Sequence, residues 1–362
     1  MQETATTLLK TKPHFQILDG LRGIAAVSVV IFHFMEIAVP DYTQSFIAHA
    51  YLAVDFFFCL SGFVIAYAYD DKLIKMGVLN FFTLRLLRLH PLVIIGSVIG
   101  LLVFVFDPFS NLYTLYSGKT LLLFLSSCLM IPYAIVHERY FNIFHLNPPA
   151  WSLFWEYIAN IYYALLLVKF RSKTLWMLTA IAAAALCYES YRSGYLGVGW
   201  SGDNIISGGI RVFYSFTAGI LVYRSEWMIR NRLGFVGVSL LLIAVFLIPY
   251  SDHTNKIVDP VIVILYFPLL IIVGAGTHLK ASFSRICNFL GEISYPLYMV
   301  HYPFIWLFMS YAEKKKPGIH EMIGIIITGT LLLILLAWAV MIMLDIPIRT
   351  YLKNRIKKYL TV

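Results

Sequence analysis

Three ionisable residues lie in one apolar stretch near the start of the chain. The segment Leu18–His33 reads LDGLRGIAAVSVVIFH and contains Asp19, Arg22 and His33. An ionisable side chain at bilayer depth costs about 2.5–3.5 kcal/mol on insertion scales, so a purely structural span would not keep three. Arg22 and His33 are eleven residues apart, which is close to three helical turns and places both on one face. We predict that Asp19 orients an anion-binding Arg22, and that His33 acts as a base or nucleophile deeper in the bundle.

Glu36 follows His33 by about one further helical turn. A histidine and a glutamate at this spacing can both bind a metal ion. Two ligands do not complete a zinc site, so we predict no metal here. The alternative for the whole group is an Asp–Arg pair at a helix end and a histidine bonded to a neighbouring helix.

Two further arginines, Arg85 and Arg88, occur in the amphipathic stretch FFTLRLLRLH. Residues spaced i, i+3 lie on one face of a helix. The guanidinium fork suits phosphate groups, so this pair is a candidate binding site for a phosphorylated cofactor. The same spacing is equally typical of the basic residues that mark the cytoplasmic side of membrane proteins.

The motif NPPAWSLFWEY, residues 147–157, begins a helix with one polar stripe. Ser152, Glu156 and Asn160 recur at i, i+4 and i+8, and together with Trp151 they supply candidate substrate contacts. A buried glutamate needs a partner or a raised pKa. Because His33 should reach a similar depth, we predict a His33–Glu156 dyad that makes the histidine more basic. The alternative is a structural hydrogen-bond cluster.

A last polar stripe occurs in GEISYPLYMVHYP, residues 291–303. Ser294, Tyr298 and His301 share a helix face at i, i+4 and i+7. Pro296 disturbs this helix and can free backbone carbonyl groups. We predict that the three side chains form an acceptor-binding wall, with a packed polar seam between helices as the alternative.

The composition defines the class of protein that must position these residues. Of the 362 residues, 60% are hydrophobic and 13% are charged, whereas soluble domains are about 25% charged. This indicates an all-α polytopic membrane protein with the lipid bilayer as its surroundings. The formal charge of +9 would suit nucleic acid, but Lys and Arg collect in the cytoplasmic loops of membrane proteins, so no nucleic-acid partner is predicted.

Eleven apolar runs are separated by polar breaks. With the N-terminus inside, 19 of the 28 Lys and Arg residues fall in connections on the cytoplasmic side and seven on the other, as the positive-inside rule requires. Both termini inside require an even number of crossings, so one run cannot cross. The runs are 17–36, 50–69, 90–107, 119–135, 151–169, 174–190, 206–224, 234–250, 259–277, 288–311 and 320–346.

The run 119–135 is the best candidate for the one that does not cross. It is short and precedes the aromatic, Pro-containing connection 136–150. We predict that it is re-entrant or partly buried, which leaves about ten transmembrane helices. Non-helical backbone at this depth is tolerated only against protein or a wet cavity, so this region should border the site.

Several sequence blocks occur in the order of a known family. The segment LDGLRGIAAVSVVIFH resembles the signature of acyltransferase family 3, the integral-membrane O-acyltransferases. VDFFFCLSGFVIA, RLLRLHP, NPPAWSLFWEY and ISYPLYMVH follow it in family order and cover most of the chain. On this resemblance the chain divides into a cytoplasmic segment 1–16, a transmembrane acyltransferase domain 17–346 and a basic cytoplasmic tail 347–362, and it resides in a bacterial inner membrane.

The resemblance implies transfer of an acyl group, commonly acetyl from cytoplasmic acetyl-CoA, to a hydroxyl of a cell-envelope carbohydrate such as O-antigen or exopolysaccharide. His33 matches the histidine regarded as catalytic in the family. Arg22 and the pair Arg85 and Arg88 match positions associated with activity and with the CoA side. The chain departs from the pattern at Tyr157, where many relatives have a second polar or acidic residue.

In the mechanism that we expect, Arg85, Arg88 and Arg22 hold the phosphates of the acyl-CoA. The acyl arm then points towards His33, which is oriented by Glu156. His33 either deprotonates the acceptor hydroxyl or carries the acyl group as an acyl-imidazole. The alternative function is a transporter or flippase for a glycan or lipid-linked intermediate, in which buried ionisable residues bind substrate or relay protons.

Overall fold

The computed structural model describes residues 14–356, and within that range it contains helices and no strand. The predicted all-α class is therefore confirmed. Of the two predicted cytoplasmic ends, residues 1–13 and 357–362 lie outside the described residues. The helices are α1 Gln16–Ala38, α2 Ala53–Tyr69, α3 Val78–Phe106, α4 Thr120–Leu129, α5 Ala150–Leu165, α6 Ser172–Ser193, α7 Ile205–Arg224, α8 Gly234–Phe246, α9 Asn255–Val261, α10 Phe267–Gly276, α11 Ala281–Val300, α12 Tyr302–Lys315, α13 Ile319–Val340 and α14 Ile346–Ile356.

Shorter helical pieces join these elements. Two single-turn α-helices and several 3₁₀ turns lie in the connections, and two π-helical turns interrupt longer helices. The short pieces are Leu73–Met76, Leu112–Tyr116, Tyr42–Gln44, Ala48–Leu52, Ser117–Lys119, His137–Arg139, Leu167–Lys169, Ile262–Tyr266 and Met341–Asp345.

Six stretches of helix in the described part of the chain are long and apolar enough to cross a bilayer. The expected ten crossings are therefore not confirmed. One reason is that the predicted run 288–311 is divided at His301 between α11 and α12. The six stretches are Gln16–Ala38, Ala48–Tyr69, Val78–Phe106, Ile205–Arg224, Asn255–Ala275 and Ile319–Ile356.

The run 119–135 forms a helix, α4, of only ten residues. At 1.5 Å per residue this is about 15 Å, half of a hydrocarbon core of about 30 Å. Non-helical backbone follows it, broken by the single turn His137–Arg139, and Ile143 N–H donates to the Trp200 carbonyl at 3.1 Å. A short helix followed by folded irregular chain is the arrangement that a partly buried segment requires.

Two close helix pairs form the centre of the molecule: α1 packs on α11, and α2 packs on α7. A Cβ on Gly62 of α2 would lie 2.0 Å from the Phe216 carbonyl oxygen, and one on Gly219 of α7 would lie 1.9 Å from the Cys59 carbonyl oxygen. The two backbones therefore touch, as small residues permit in membrane helices.

A buried ion pair also joins α2 and α7. The Arg211 guanidinium donates to both Asp55 carboxylate oxygens, at 2.5 and 3.1 Å, and to the carbonyl groups of Val198 and Tyr51. Both side chains are buried, 1% and 0% exposed, and a buried charge is tolerated only when it is paired and hydrogen-bonded. Arg211 thereby ties the loop containing Val198 to both helices.

Candidate functional site

Two cavities lie towards the two ends of α1. The arginine cavity, about 530 Å³, is lined by residues near the start of α1, including Arg22, and by parts of α2, α3, α5 and α11. The histidine cavity, about 590 Å³, is lined by the end of α1, including His33, and by the loops after α1, α4, α6 and α8. Val54 and Tyr298 line both cavities, so the two spaces meet at these side chains.

Four arginines line the arginine cavity, and three of them have carboxylate partners. Arg88 is exposed and, among residues 14–356, has no ion-pair partner. An anionic ligand in this cavity would therefore meet one guanidinium without a carboxylate partner, that of Arg88, and three guanidinium groups that are already paired with carboxylates. The three pairs are Arg22–Asp19 at 3.0 Å, Arg85–Glu156 at 3.0 Å and Arg349–Asp345 at 2.6 Å.

Arg22 is held against α11 as well as by Asp19. Its Nε donates to Ser294 Oγ at 2.9 Å and its Nη2 to the Gly291 carbonyl at 2.8 Å. The other oxygen of Asp19 lies 2.8 Å from His14 Nε2. The predicted pairing of Asp19 with Arg22 is therefore present, and Ser294 belongs to the arginine cavity rather than to an acceptor wall near His33.

The predicted His33–Glu156 dyad is not formed. Glu156 lines the arginine cavity and accepts hydrogen bonds from Arg85 Nη2 at 3.0 Å and Ser61 Oγ at 2.9 Å. His33 lines the histidine cavity. Glu156 lies five residues along α5 from Trp151, or about 7.5 Å. Trp151 lines the histidine cavity, whereas Glu156 lies in the arginine cavity, where Arg85 balances its charge.

The carboxylate that contacts His33 is Glu36. His33 Nδ1 lies 2.5 Å from Glu36 Oε2, and the Tyr42 hydroxyl donates to Glu36 Oε1 at 3.3 Å. Because a carboxylate accepts, Nδ1 carries the proton and Nε2 presents a lone pair. Nε2 has no hydrogen-bond partner within residues 14–356, and the side chain is 20% exposed. This is the geometry of a base or nucleophile oriented by a third group.

Aromatic rings dominate the wall of the histidine cavity. Among the rings that come from loops, burial raises the pKa of the Tyr195 and Tyr250 hydroxyl groups, so both remain neutral donors near pH 7. Asp41, at the rim, accepts hydrogen bonds from Thr43 that lower the pKa of its carboxyl. The rings are Phe32, Tyr42, Tyr51, Tyr140, Trp151, Tyr195, Trp200, Tyr250, Tyr298, Tyr302 and Trp306.

The remaining predicted residues divide between the two cavities and the core. Trp151 lines the histidine cavity under Arg211, whose Cζ lies 5.3 Å from the ring centroid. Ser152 lines the arginine cavity and bonds the Tyr298 hydroxyl at 2.8 Å. Asn160 is fully buried, donates to the Glu156 carbonyl and lines neither cavity.

His301 is also buried and lines neither cavity. Its Nδ1 lies 2.9 Å from the Tyr298 carbonyl, and its ring stacks on His33 with centroids 5.5 Å apart. The three residues predicted as one acceptor wall are thus separated: Ser294 faces the arginine cavity, Tyr298 the boundary, and His301 the core behind His33. Seven residues separate Ser294 from His301, or about 10.5 Å of helix, so the stripe extends from the arginine cavity past the boundary.

Sequence reasoning did not assign several residues of these cavities. Asp55 and Arg211 are opposite charges inside separate apolar runs, and that signal alone could have paired them. Asp345 and Arg349 enter the arginine cavity through the π-helical turn Met341–Asp345, a distortion that is frequent at functional sites and has no simple sequence signal. No group of three or more His, Cys, Asp or Glu side chains suited to a metal ion occurs among the described residues.

Helices long and apolar enough to cross a membrane enclose two cavities, one lined by four arginines and the other by an oriented histidine, and together they define a multi-pass membrane protein. The chain belongs to the acyltransferase domain family, whose sequence profile matches residues 15–343. The resemblance to acyltransferase family 3 is therefore confirmed over most of the chain.

The chain is also similar to individual proteins, one of which is named as an O-acetyltransferase. The chain is 32% identical to "Protein 2 in picA locus" of Rhizobium radiobacter over 182 residues, 48% of this chain and 92% of the relative. It is 24% identical to the O-acetyltransferase OatA of Staphylococcus aureus over 339 residues, 86% of this chain. The match covers 54% of OatA, so the chain spans about half of that relative's length. No solved structure gives a significant match.

Proposed function

We propose that the protein transfers an acyl group, acetyl by preference, from an acyl-CoA to a hydroxyl of a cell-envelope carbohydrate such as O-antigen or exopolysaccharide. Membership of the acyltransferase family and the similarity to an O-acetyltransferase support acyl transfer. The observation that carries the proposal is His33, whose side chain lines the histidine cavity while its Nδ1 is bound to Glu36 and its Nε2 has no hydrogen-bond partner among residues 14–356.

The proposed donor site is the arginine cavity. A CoA thioester carries several phosphate negative charges, and Arg forks bind phosphate through paired hydrogen bonds. Among the described residues, Arg88 supplies the charge that no carboxylate offsets, so we assign it the first phosphate contact. Arg22 and Arg85 make further contacts when the phosphates displace Asp19 and Glu156 from them. The thioester end then lies at the wall formed by Val54 and Tyr298, next to the histidine cavity.

In this proposal the arginine cavity opens to the cytoplasm. His14, near the N-terminal end of the described chain, and Arg349, near its C-terminal end, both line this cavity. Two ends on one side agree with an even number of crossings. The excess of Lys and Arg in the connections assigned to that side supports the cytoplasmic orientation, which is also where acyl-CoA is made available.

The proposed acceptor site is the histidine cavity. Its tyrosine and tryptophan rings offer apolar faces together with hydroxyl and indole N–H donors, which is the combination that binds an amphipathic sugar ring. Asp41, Asp252 and Asn142 at its wall add acceptors for sugar hydroxyl groups. The acceptor hydroxyl is placed against His33 Nε2.

Two balanced routes follow from the His33 geometry. In the direct route, Nε2 takes the acceptor proton, the acceptor oxygen bonds to the thioester carbon, the C–S bond breaks, and the proton passes to the thiolate. In the relay route, Nε2 itself bonds to the acyl carbon as the C–S bond breaks and the CoA thiolate leaves. The acceptor oxygen then bonds to that carbon as the C–N bond breaks, and the proton that the hydroxyl loses neutralises the thiolate. Glu36 stabilises the imidazolium in both routes.

The test is acyl transfer by protein reconstituted in lipid nanodiscs, with acetyl-CoA labelled in the acetyl group and an envelope glycan as acceptor. We expect labelled ester on the glycan and stoichiometric free CoA. His33→Ala should abolish both products, whereas His253→Ala, at an exposed loop histidine, should leave them unchanged. An active, folded His33→Ala protein would refute the role of His33, and a wild-type protein that leaves the thioester intact would favour a transporter.

A further inference from the structure

The boundary between the two cavities is thin. Val54 of α2 and Tyr298 of α11 line both spaces, and they are 7% and 9% exposed. Phe57 packs edge-on against the Tyr298 ring with centroids 5.7 Å apart and faces the arginine cavity. Because these two side chains are the ones that both cavities share, a group that moves from the arginine cavity to the histidine cavity passes beside them.

The two halves of this boundary differ in mobility. Val54 is β-branched and lies in a helix, where its side chain has essentially one rotamer. The Ser152 hydroxyl donates to the Pro149 carbonyl at 3.0 Å, so it accepts from the Tyr298 hydroxyl at 2.8 Å. Tyr298 thus has one neutral hydrogen bond to give up when its ring turns. The Val54 side chain is therefore fixed, whereas the Tyr298 ring can turn when its hydrogen bond to Ser152 breaks.

Resting on the proposed function, we propose that Val54 and Tyr298 form the passage for the acyl group and limit the length of the acyl chain. The thioester carbonyl must come within about 3–3.5 Å of the reacting atoms at His33, while the bulky CoA remains in the arginine cavity. An acetyl group brings one methyl into the gap beside Val54. Each further methylene must share that gap with the valine methyl groups, so longer chains are excluded by contact with Val54.

The test compares kcat/KM for acetyl-, propionyl- and butyryl-CoA in variants of Val54. One methylene in an apolar pocket changes specificity by about 10- to 200-fold. Val54→Ala should therefore raise the butyryl-to-acetyl ratio about tenfold or more, and Val54→Ile should lower the propionyl-to-acetyl ratio. Because each ratio is measured on one preparation, it does not depend on how much of the variant folds.

Val238→Ala provides the matched control, since Val238 is equally apolar, fully buried in α8 and lines neither cavity; it should leave all ratios unchanged. Acetyl transfer by the wild type together with unaltered ratios in both Val54 variants would overturn the passage and leave the proposed function standing. Absence of transfer from any acyl-CoA by the wild type would overturn both.

Discussion

The Nδ1 atom of His33 lies 2.5 Å from Oε2 of Glu36, one turn further along the same helix. This contact makes the orientation of the imidazole a local property of α1, independent of how α5 packs. Tyr42 adds a hydrogen bond to the second carboxylate oxygen. The side chain that sets the tautomer of His33 is therefore Glu36, and Glu156 is left to balance Arg85 in the other cavity.

The first prediction separates these two glutamates. Glu36→Gln replaces the charged acceptor of the His33 proton with a neutral one. A hydrogen bond to a charged group is worth about 1.5–3 kcal/mol, so kcat should fall roughly 10- to 150-fold with little change in the donor KM. Steady-state kinetics of acetyl transfer provide the measurement.

Glu156→Gln should behave differently, because it leaves the nearly buried Arg85 guanidinium without a charged partner. Its main effect should be a lower free energy of unfolding, with a lower donor KM, because Arg85 is then no longer neutralised and attracts the donor phosphates more strongly. Glu226→Gln, at an exposed loop position, is the control for removal of one carboxylate. A larger fall in kcat for Glu156→Gln than for Glu36→Gln would return the orienting role to Glu156.

The second prediction concerns Arg88, the cavity arginine that no carboxylate neutralises among the described residues. Arg88→Ala should raise the donor KM about tenfold or more, since a charge-assisted phosphate contact is worth about 1.5–3 kcal/mol, and it should leave thermal stability unchanged. Added salt should raise the donor KM less in the variant than in the wild type. Arg285→Ala, an exposed arginine outside the cavity, should change neither quantity; equal KM values for Arg88→Ala and wild type would contradict the donor site.

The sequence predicts well those features that depend on local periodicity. The helix that carries Asp19, Arg22 and His33, and the placement of the first two at one end and the third at the other, follow from residue spacing within α1 alone. Spacing along α5 likewise predicts that Ser152 and Glu156 share one face, and both line the arginine cavity, whereas Asn160 of the same stripe lies in the core. The predicted His33–Glu156 dyad was wrong because it depends on how far α1 and α5 are shifted relative to each other along the membrane normal. Residue spacing within one helix carries no information about that shift.

Partners that come from distant parts of the chain were the least predictable. Arg22 bonds to Ser294, and Tyr298 bonds to Ser152; each pair is set by the packing of α11 on α1 and α5 rather than by any motif. The aromatic wall of the histidine cavity is assembled largely from loops. The conformation of these loops depends on tertiary contacts such as the hydrogen bond from Ile143 N–H to the Trp200 carbonyl. The sequence alone therefore could not assign the aromatic rings of the loops to the histidine cavity.

The third prediction tests the acceptor cavity through its aromatic wall. Trp200→Ala removes a partly exposed ring that lines the histidine cavity. The acceptor KM should rise about tenfold, because an aromatic contact of this kind contributes about 0.5–1.5 kcal/mol beyond the area that it buries. The donor KM should stay unchanged. Trp176→Ala, at a tryptophan that is 45% exposed and lines neither cavity, is the control; a rise in the donor KM instead would place the donor in this cavity.

The last prediction concerns the buried pair that supports the histidine cavity. Arg211→Met leaves Asp55 charged and buried, and Asp55→Asn does the same to Arg211, so each should lower the free energy of unfolding by about 3–5 kcal/mol. The double variant Asp55→Asn/Arg211→Met removes both charges and should be less destabilised than the sum of the single changes, because neither charge is then left unpaired. Denaturant titration in micelles measures all three.

Arg211 also bonds the Val198 carbonyl and stacks over Trp151. The double variant should therefore recover stability without recovering the acceptor KM, since the loop and the ring lose their anchor. Arg232→Met, at an exposed arginine, should cost at most about 1 kcal/mol. Additive losses in the double variant would show that the two side chains do not interact, and a fully restored acceptor KM would show that the pair serves stability alone.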